Sequence, residues 1–234
     1  MKIQAGTSGY SYKEWKGAFY PEDLPAGDML GYYAGRLPTV EINNTFYRMP
    51  TEKLLASWAE QVPEGFRFVL KAPQRITHKK KLEDAGEETE HFFRMAGTLE
   101  ARLGAVLFQL PPWLRKDVPR LMAFLEILPR VARAAFEFRH ASWFDDEVFD
   151  RLRERGAALC VADAEGDLDT PLAATAPWGY LRLRRTDYDD AALADWANRV
   201  QAQPWEEAFV FFKHEDEATG PRLAERFLEL ARRV

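Results

Sequence analysis

Cysteine is almost missing from this chain: Cys160 is the only one among 234 residues. Its solitude excludes an internal disulfide and fits a reducing compartment. Histidine is scarce as well, with four residues, so a structural zinc cluster has almost nothing to build on. A basic excess is absent; the formal net charge is −5. That argues against bulk nucleic acid as the main partner, because phosphate contacts ordinarily leave a basic surplus, although a local basic cleft inside an acidic total would escape the argument. No apolar run approaches membrane-spanning length, which excludes a membrane partner of the spanning kind. Met1 runs directly into the strand-like KIQAG with no leader pattern, so a cytoplasmic protein is expected. Repeats, low-complexity tracts and linker-like stretches are also lacking, and one domain over residues 1–234 is the simplest division.

What is present is a rhythm of short β-prone runs. Eight can be picked out: IQAG from Ile3, TVEI from Thr39, FRFVLK from Phe66, AVLFQL from Ala105, RAAFEF from Arg133, ALCVAD from Ala158, GYLRLR from Gly179 and AFVFFK from Ala208. Helical periodicity fills most of the gaps. A stripe of Met29, Leu30, Tyr33 and Leu37 follows Asp28 as a candidate N-cap, and Thr51 precedes Leu54, Leu55 and Trp58. Glu87 to Leu103 is the longest helical candidate. Asp117 and Pro119 open another, Asp145 caps a segment that Gly156 stops, and Asp190–Val200 and Arg222–Arg232 close the series. After the sixth run the pattern fades, and AEGDLDTPLAATAPW predicts a loop or a single turn.

Alternation of short strands with helices implies a parallel sheet joined by right-handed crossovers, and eight units imply an α/β protein of the closed (β/α)₈, TIM-barrel type, with a reduced helix after the sixth strand. An open doubly wound sheet is the alternative. Its usual phosphate-binding turn is missing, because GTSGYS after the first run has the wrong glycine spacing and leads into aromatics.

In such a barrel, function belongs to the C-terminal ends of the strands. Every run ends in a polar group. The first ends at Ser8, the second at Glu41 and Asn43, the third at Lys71 and the fourth at Gln109. Glu137 and Arg139 share a face at the end of the fifth, Asp163 closes the sixth, Arg182 and Arg184 share a face in the seventh, and Lys213 and His214 close the eighth. A buried carboxylate needs partners or a job. Glu41, Glu137, Lys71 and Asp163 are therefore the catalytic candidates, with a ring of structural ion pairs as the alternative account of the same residues.

Three loops add candidates. Residues 7–27 are overlong for a βα connection and hold Tyr10, Tyr12, Trp15, Phe19 and Tyr20. Packing on the rim is expected for Trp15, Phe19 and Tyr20, while Tyr10 is the ligand-facing candidate. ITHKKKLED places His78, a group that titrates near neutral pH, beside Lys79 to Lys81, which read as a solvated charge run. EFRHASWF joins Glu137 and Arg139 to Trp143, with His140 as a capping or surface residue; Tyr47 follows the second strand.

The runs GTSGYSYKEWKGAFYP, YYAGRLPTVEINNTFYRMP, FRFVLKAPQRITH, LGAVLFQLPP, FEFRHASWFDDEVFDRLRERG and the VAD of the sixth strand, taken in order, closely resemble the YecE-like family, domain of unknown function 72. The resemblance implies a TIM-type barrel similar in outline to the xylose isomerase and endonuclease IV class, and implies no reaction. It places family motif positions at Gly6, Ser8, Tyr10, Glu41, Asn43, Phe46, Tyr47, Lys71, His78, Gln109, Glu137, Arg139, Trp143 and Asp163. The last third departs from the family pattern, with RLRR where RLHG is common and Lys213 and His214 in place of two Asn. If those positions contact ligand, this member has a more basic pocket than its relatives or has lost part of the site.

The expectation drawn from these residues is an enzyme of the hydrolase type. Glu41 or Glu137 would act as general acid or base on a small polar or anionic ligand, with Lys71 and Arg139 holding negative charge. Ser8, Tyr10, Asn43, Tyr47, His78, Gln109, Trp143, Arg182, Arg184, Lys213 and His214 would line the pocket. No obligatory metal is expected, since Lys71 and Arg139 would compete for the oxygens of Glu41, Glu137 and Asp163; a cofactor is otherwise unassigned. The alternatives are a nucleic-acid binding or repair-associated protein using the basic and aromatic loops, and a ligand-binding barrel without turnover.

Overall fold

The computed structural model describes residues 1–234 except 165, 167, 186, 214, 215 and 234. Its strands are β1 (Lys2–Ser8), β2 (Thr39–Ile42), β3 (Arg67–Lys71), β4 (Leu103–Gln109), β5 (Ala134–Glu137), β6 (Ala158–Asp163), β7 (Trp178–Leu183) and β8 (Glu207–Phe212). All neighbours pair in parallel and β8 returns to β1, so the sheet is a closed barrel in sequence order. Each run is nearly continuously apolar because both of its faces are covered, one by the barrel interior and one by helices.

The helices are α1 (Met29–Ala34), the single turn α2 (Asn44–Tyr47), α3 (Glu52–Glu60), α4 (Gly86–Ala96), α5 (Val118–Ile127), α6 (Asp146–Arg155), α7 (Asp190–Gln201) and α8 (Thr219–Ala231). Among the described residues no α-helix lies between β6 and β7, as the fading periodicity there predicts. The polar residues expected to open helices do so: Thr51 accepts from the Leu54 amide, Asp117 from Arg120 and Asp145 from Glu147. Gly156 stops α6 at φ 69°, a left-handed conformation that glycine adopts without steric strain.

Two helix expectations are corrected. Asp28 makes no side-chain cap to α1. The long helix from Glu87 to Leu103 ends at Ala96; a 3₁₀ stretch, Gly97–Arg102, follows and is broken at Glu100, where φ is 50°. Gly97 weakens the helix at that point, and the chain must turn there to enter β4.

Strand alternation sorts the core into two layers. Val69, Leu107, Cys160, Tyr180, Phe209 and Phe211 fill the barrel interior. Residues of the opposite parity, such as Val40, Phe136, Leu159 and Leu181, join the larger layer between barrel and helices. No helix among the described residues is long and apolar enough to cross a membrane.

Candidate functional site

Strand register brings the inward side chains together at the C-terminal end. Ser8 pairs with Glu41 across β1 and β2, and Gln109 with Glu137 across β4 and β5. At the centre stands Arg182 of β7, which is 2% exposed and lies between two carboxylates that are fully buried. Its Nη2 donates to Glu41 Oε1 at 2.8 Å and its Nη1 to Glu137 Oε2 at 2.6 Å. Glu41 also accepts from the Ser8 hydroxyl at 2.8 Å, the Asn43 amide at 3.1 Å and the Tyr180 hydroxyl at 2.6 Å. Arg139 Nε pairs with Glu137 Oε1, in contact too oblique to be a hydrogen bond.

These partners favour the charged forms of the cluster. Burial pushes Glu41 upward, but Arg182 and the hydroxyls of Tyr180 and Ser8 more than offset it and hold the carboxyl below its ordinary value. Glu137, likewise buried, is brought down to about 2 by Arg182 and Arg139. Burial would lower Arg182, yet the two carboxylates keep it firmly charged. A carboxyl near 2 is ionised at neutral pH and donates no proton, and as a base it is far from the matched pKa that general catalysis favours. The two carboxylates expected to divide acid and base roles are both held by one guanidinium.

The cations around this floor are in a different condition. Lys71, at the inward-facing end of β3, has its backbone carbonyl held by the Thr45 hydroxyl at 2.7 Å and its Nζ 4.3 Å from the Phe46 ring centroid. It forms no ion pair among the described residues. Burial, then the charge of Arg182, lower its pKa to about 8, against the pull of Glu41 and Glu137. Arg184, two residues beyond Arg182, is also lowered by burial and by Arg182. Its Nε is buried without a hydrogen-bond partner, as is Asn43 Oδ1.

Several expected residues join this cluster and several do not. Ser8, Asn43, Glu41, Glu137, Arg139 and Arg182 are joined by the contacts above, and Lys71 and Arg184 lie near enough for the charges of the cluster to act on them. Gln109 stands beside Glu137 in register, and Lys213 extends the inward face of β8 beyond Phe209 and Phe211. His78 packs edge-on against Phe46 with 4.9 Å between ring centroids, and burial followed by the Lys71 charge lowers its pKa. Tyr47, 73% exposed, marks the outer rim. His214 lies outside the described residues.

Asp163, Trp143 and Tyr10 are corrected. Asp163 has the parity of Leu159 and Val161 and faces outward, where it accepts from Arg185 at 2.8 Å, Tyr188 at 2.9 Å and Trp196 at 3.1 Å. It ties β6 to the approach of α7. Trp143 is fully buried, stacked on Phe138 at 4.6 Å, with its indole N–H donated to the Leu114 carbonyl. Tyr10 packs beside Tyr33 against the outer core. Tyr12 comes to the cluster instead, its hydroxyl donating to the Ser8 carbonyl at 2.8 Å. Burial and the nearby Glu41 push that hydroxyl up to about 12. Trp15, Phe19 and Tyr20 pack as expected.

Tyr180 was the residue that strand ends alone do not find. Its signal is parity, since it precedes Arg182 by two residues and so shares the inward face. Among the described residues no three His, Cys, Asp or Glu side chains converge as a metal-ligand set. In the basic loop, Lys80 pairs with Glu88 at 2.9 Å and Lys81 lies over the Trp113 ring at 5.2 Å. Concavities elsewhere on the barrel measure ≈ 350 Å³ between α5 and α6, bordered by Met122 and Arg151, and ≈ 670 Å³ at the N-terminal end, bordered by Arg67 and Glu207.

Comparison with known proteins places these features in a family. UPF0759 protein YunF of Bacillus subtilis is 28% identical over 189 residues, 74% of this chain and 66% of that protein. UPF0759 protein YecE of Escherichia coli is 30% identical over 141 residues, 58% of this chain and 52% of that protein. The crystal structure of a DUF72 family protein from Thermotoga maritima superposes with a TM-score of 0.86 at 27% identity, covering 99% of this chain and 100% of the other. One from Enterococcus faecalis shares the fold at 20% identity, with a TM-score of 0.82 over 98% of this chain and 95% of the other. A family model for the protein of unknown function DUF72 matches residues 4–234. That match runs from β1 to beyond the end of α8, and the chain therefore belongs to the DUF72 family.

Proposed function

We propose that the C-terminal mouth of the barrel binds a small anion bearing a carboxylate or phosphate group. One observation carries this reading: Glu41 and Glu137 are consumed by Arg182 and Arg139, while Lys71 and Arg184 are half-buried beside them with no ion pair among the described residues. A partly desolvated cation without a counter-charge is costly, and an anionic ligand would supply the missing charge. The guanidinium of Arg184 suits an oxyanion, since its planar fork matches carboxylate and phosphate geometry. Asn43 Oδ1, buried without a donor, offers a neighbouring acceptor for a hydroxyl or amide on the same ligand.

The test is thermal unfolding with inorganic phosphate or oxalate, using sodium chloride at matched ionic strength as control. Binding to the folded state alone raises the transition with a saturable dependence on ligand concentration. The expected result is saturable stabilisation of the wild type and at least about tenfold weaker response in Arg184→Ala, the loss of one charge-assisted contact. Equal responses in both proteins, or a response that sodium chloride reproduces, would overturn the reading.

A further inference from the structure

We infer that Lys71 is a nucleophilic amine that forms an imine with a carbonyl compound carrying a carboxylate or phosphate, such as a 2-oxo acid or an anionic aldehyde. This deepens the proposed anion site and rests on it for the orientation of the substrate.

Lys71 ends β3 on the inward face, and its side chain has been denied the partner it would ordinarily take. The nearest carboxylates already hold Arg182, Arg139, Ser8, Asn43 and Tyr180. What meets Nζ instead is the ring of Phe46 and the repulsive field of Arg182 and Arg184. The ring face favours the ammonium, but burial and the neighbouring cation prevail. An amine desolvated beside a second fixed cation is the arrangement that turns lysine into a nucleophile. At pH 7 a lysine near 8 has roughly a tenth of its population as free amine, against a few parts in ten thousand for an ordinary one near 10.5.

The neighbourhood also suits the substrate. Arg184, near enough for its charge to be felt at Lys71, can hold the anionic group of the same molecule. His78, whose pKa is lowered by burial and by the Lys71 charge, can relay a proton. In the reaction the amine lone pair bonds to the carbonyl carbon as the C=O π pair moves to oxygen. A proton passes from nitrogen to that oxygen to give a carbinolamine, and the nitrogen lone pair then forms C=N as the hydroxyl departs with a second proton. One amine and one carbonyl yield one imine and one water, with no oxidant or reductant. The protonated imine withdraws electrons from the carbon next to it, so the substrate class is one whose bond at that carbon is to be broken or made.

The experiment is reductive trapping of the intact protein with glyoxylate and sodium cyanoborohydride, followed by peptide mapping. The expected result is one adduct on Lys71, forming at least about tenfold faster at pH 7 than adducts on exposed Lys53, with a rate that rises as pH approaches 8. Oxalate should slow it, and Lys71→Met should abolish it. Labelling of Lys71 no faster than Lys53 would overturn the nucleophile. If oxalate stabilises the protein yet Lys71 is not trapped, the imine fails and the anion site stands. If Lys71 is trapped rapidly and oxalate neither binds nor protects, the nucleophile stands and the anion site fails.

Discussion

Arg182 Nη2 lies 2.8 Å from Glu41 Oε1, and neither side chain is more than 2% exposed. The pair is closed into a larger network by Glu137, Tyr180 and Ser8. Its members neutralise one another in a medium where any one alone would be severely penalised.

Glu41→Gln removes one charge from this network while keeping its shape. The variant is expected to lose about 3 kcal/mol of unfolding free energy, because a buried guanidinium is left half compensated. Urea denaturation reads this directly through the midpoint at constant slope. The solvent-exposed pair Arg36–Glu225 is the internal contrast: Arg36→Gln should cost less than about 1 kcal/mol. A Glu41→Gln protein as stable as the wild type would show that the network is not structural.

The barrel was legible because parity and period are local. TVEI and ALCVAD coincide with β2 and β6, and the absence of an α-helix after β6 among the described residues matches a loss of periodicity in the sequence. The inward placement of Glu41, Lys71, Glu137 and Arg182 also follows from alternation. What stayed hidden is which partner each takes. Whether Glu41 reaches Lys71 or Arg182 depends on barrel tilt and strand register, which are properties of the closed sheet. The misplacement of Asp163 has a different origin: its strand end was read without its parity, and Leu159 and Val161 already marked that face as the outer one. Trp143 was expected to line the pocket, and its stacking partner, Phe138, which takes it into the core, belongs to the preceding strand exit.

Acid should unfold the protein through the same network. Glu137 has a folded-state pKa of about 2, lowered from an ordinary 4.5, so the folded state binds fewer protons than the unfolded chain between those values. Its stabilising contribution is complete above pH 4.5 and is lost as pH falls towards 2. Glu41, shifted in the same direction, adds to the loss. A series of urea midpoints from pH 7 to 2.5 should be flat above about pH 5 and then decline. A protein whose midpoint is unchanged at pH 3 would contradict the assigned ion pairs.

Trp143 and Asp163 should behave as structural residues. Trp143→Ala deletes a fully buried ring and a hydrogen bond, and the expected destabilisation is about 3 to 5 kcal/mol. Asp163→Ala leaves Tyr188 and Trp196 without their shared acceptor, at about 1 to 3 kcal/mol. In both variants the folded fraction should bind oxalate as the wild type does. An Asp163→Ala protein that is stable but has lost oxalate binding would return that carboxylate to the site.

Lys71 should be a liability to the fold. Its pKa falls from 10.5 to about 8 on folding, so below pH 8 both states are charged and the folded state bears the full penalty of the buried ammonium. Between 8 and 10.5 the unfolded chain holds the extra proton, and stability rises with pH until the penalty is gone. Lys71→Met removes the charge and keeps an unbranched side chain against Phe46. At pH 7 the variant is expected to be more stable than the wild type by about 1 to 3 kcal/mol, the lower figure allowing for solvent screening of a half-buried group. The gap should close as pH climbs through 8 to 10.5. Should Lys71→Met instead destabilise the protein at pH 7, the ammonium would be a paired structural cation, and the assignment of Lys71 as a free amine would fall with it.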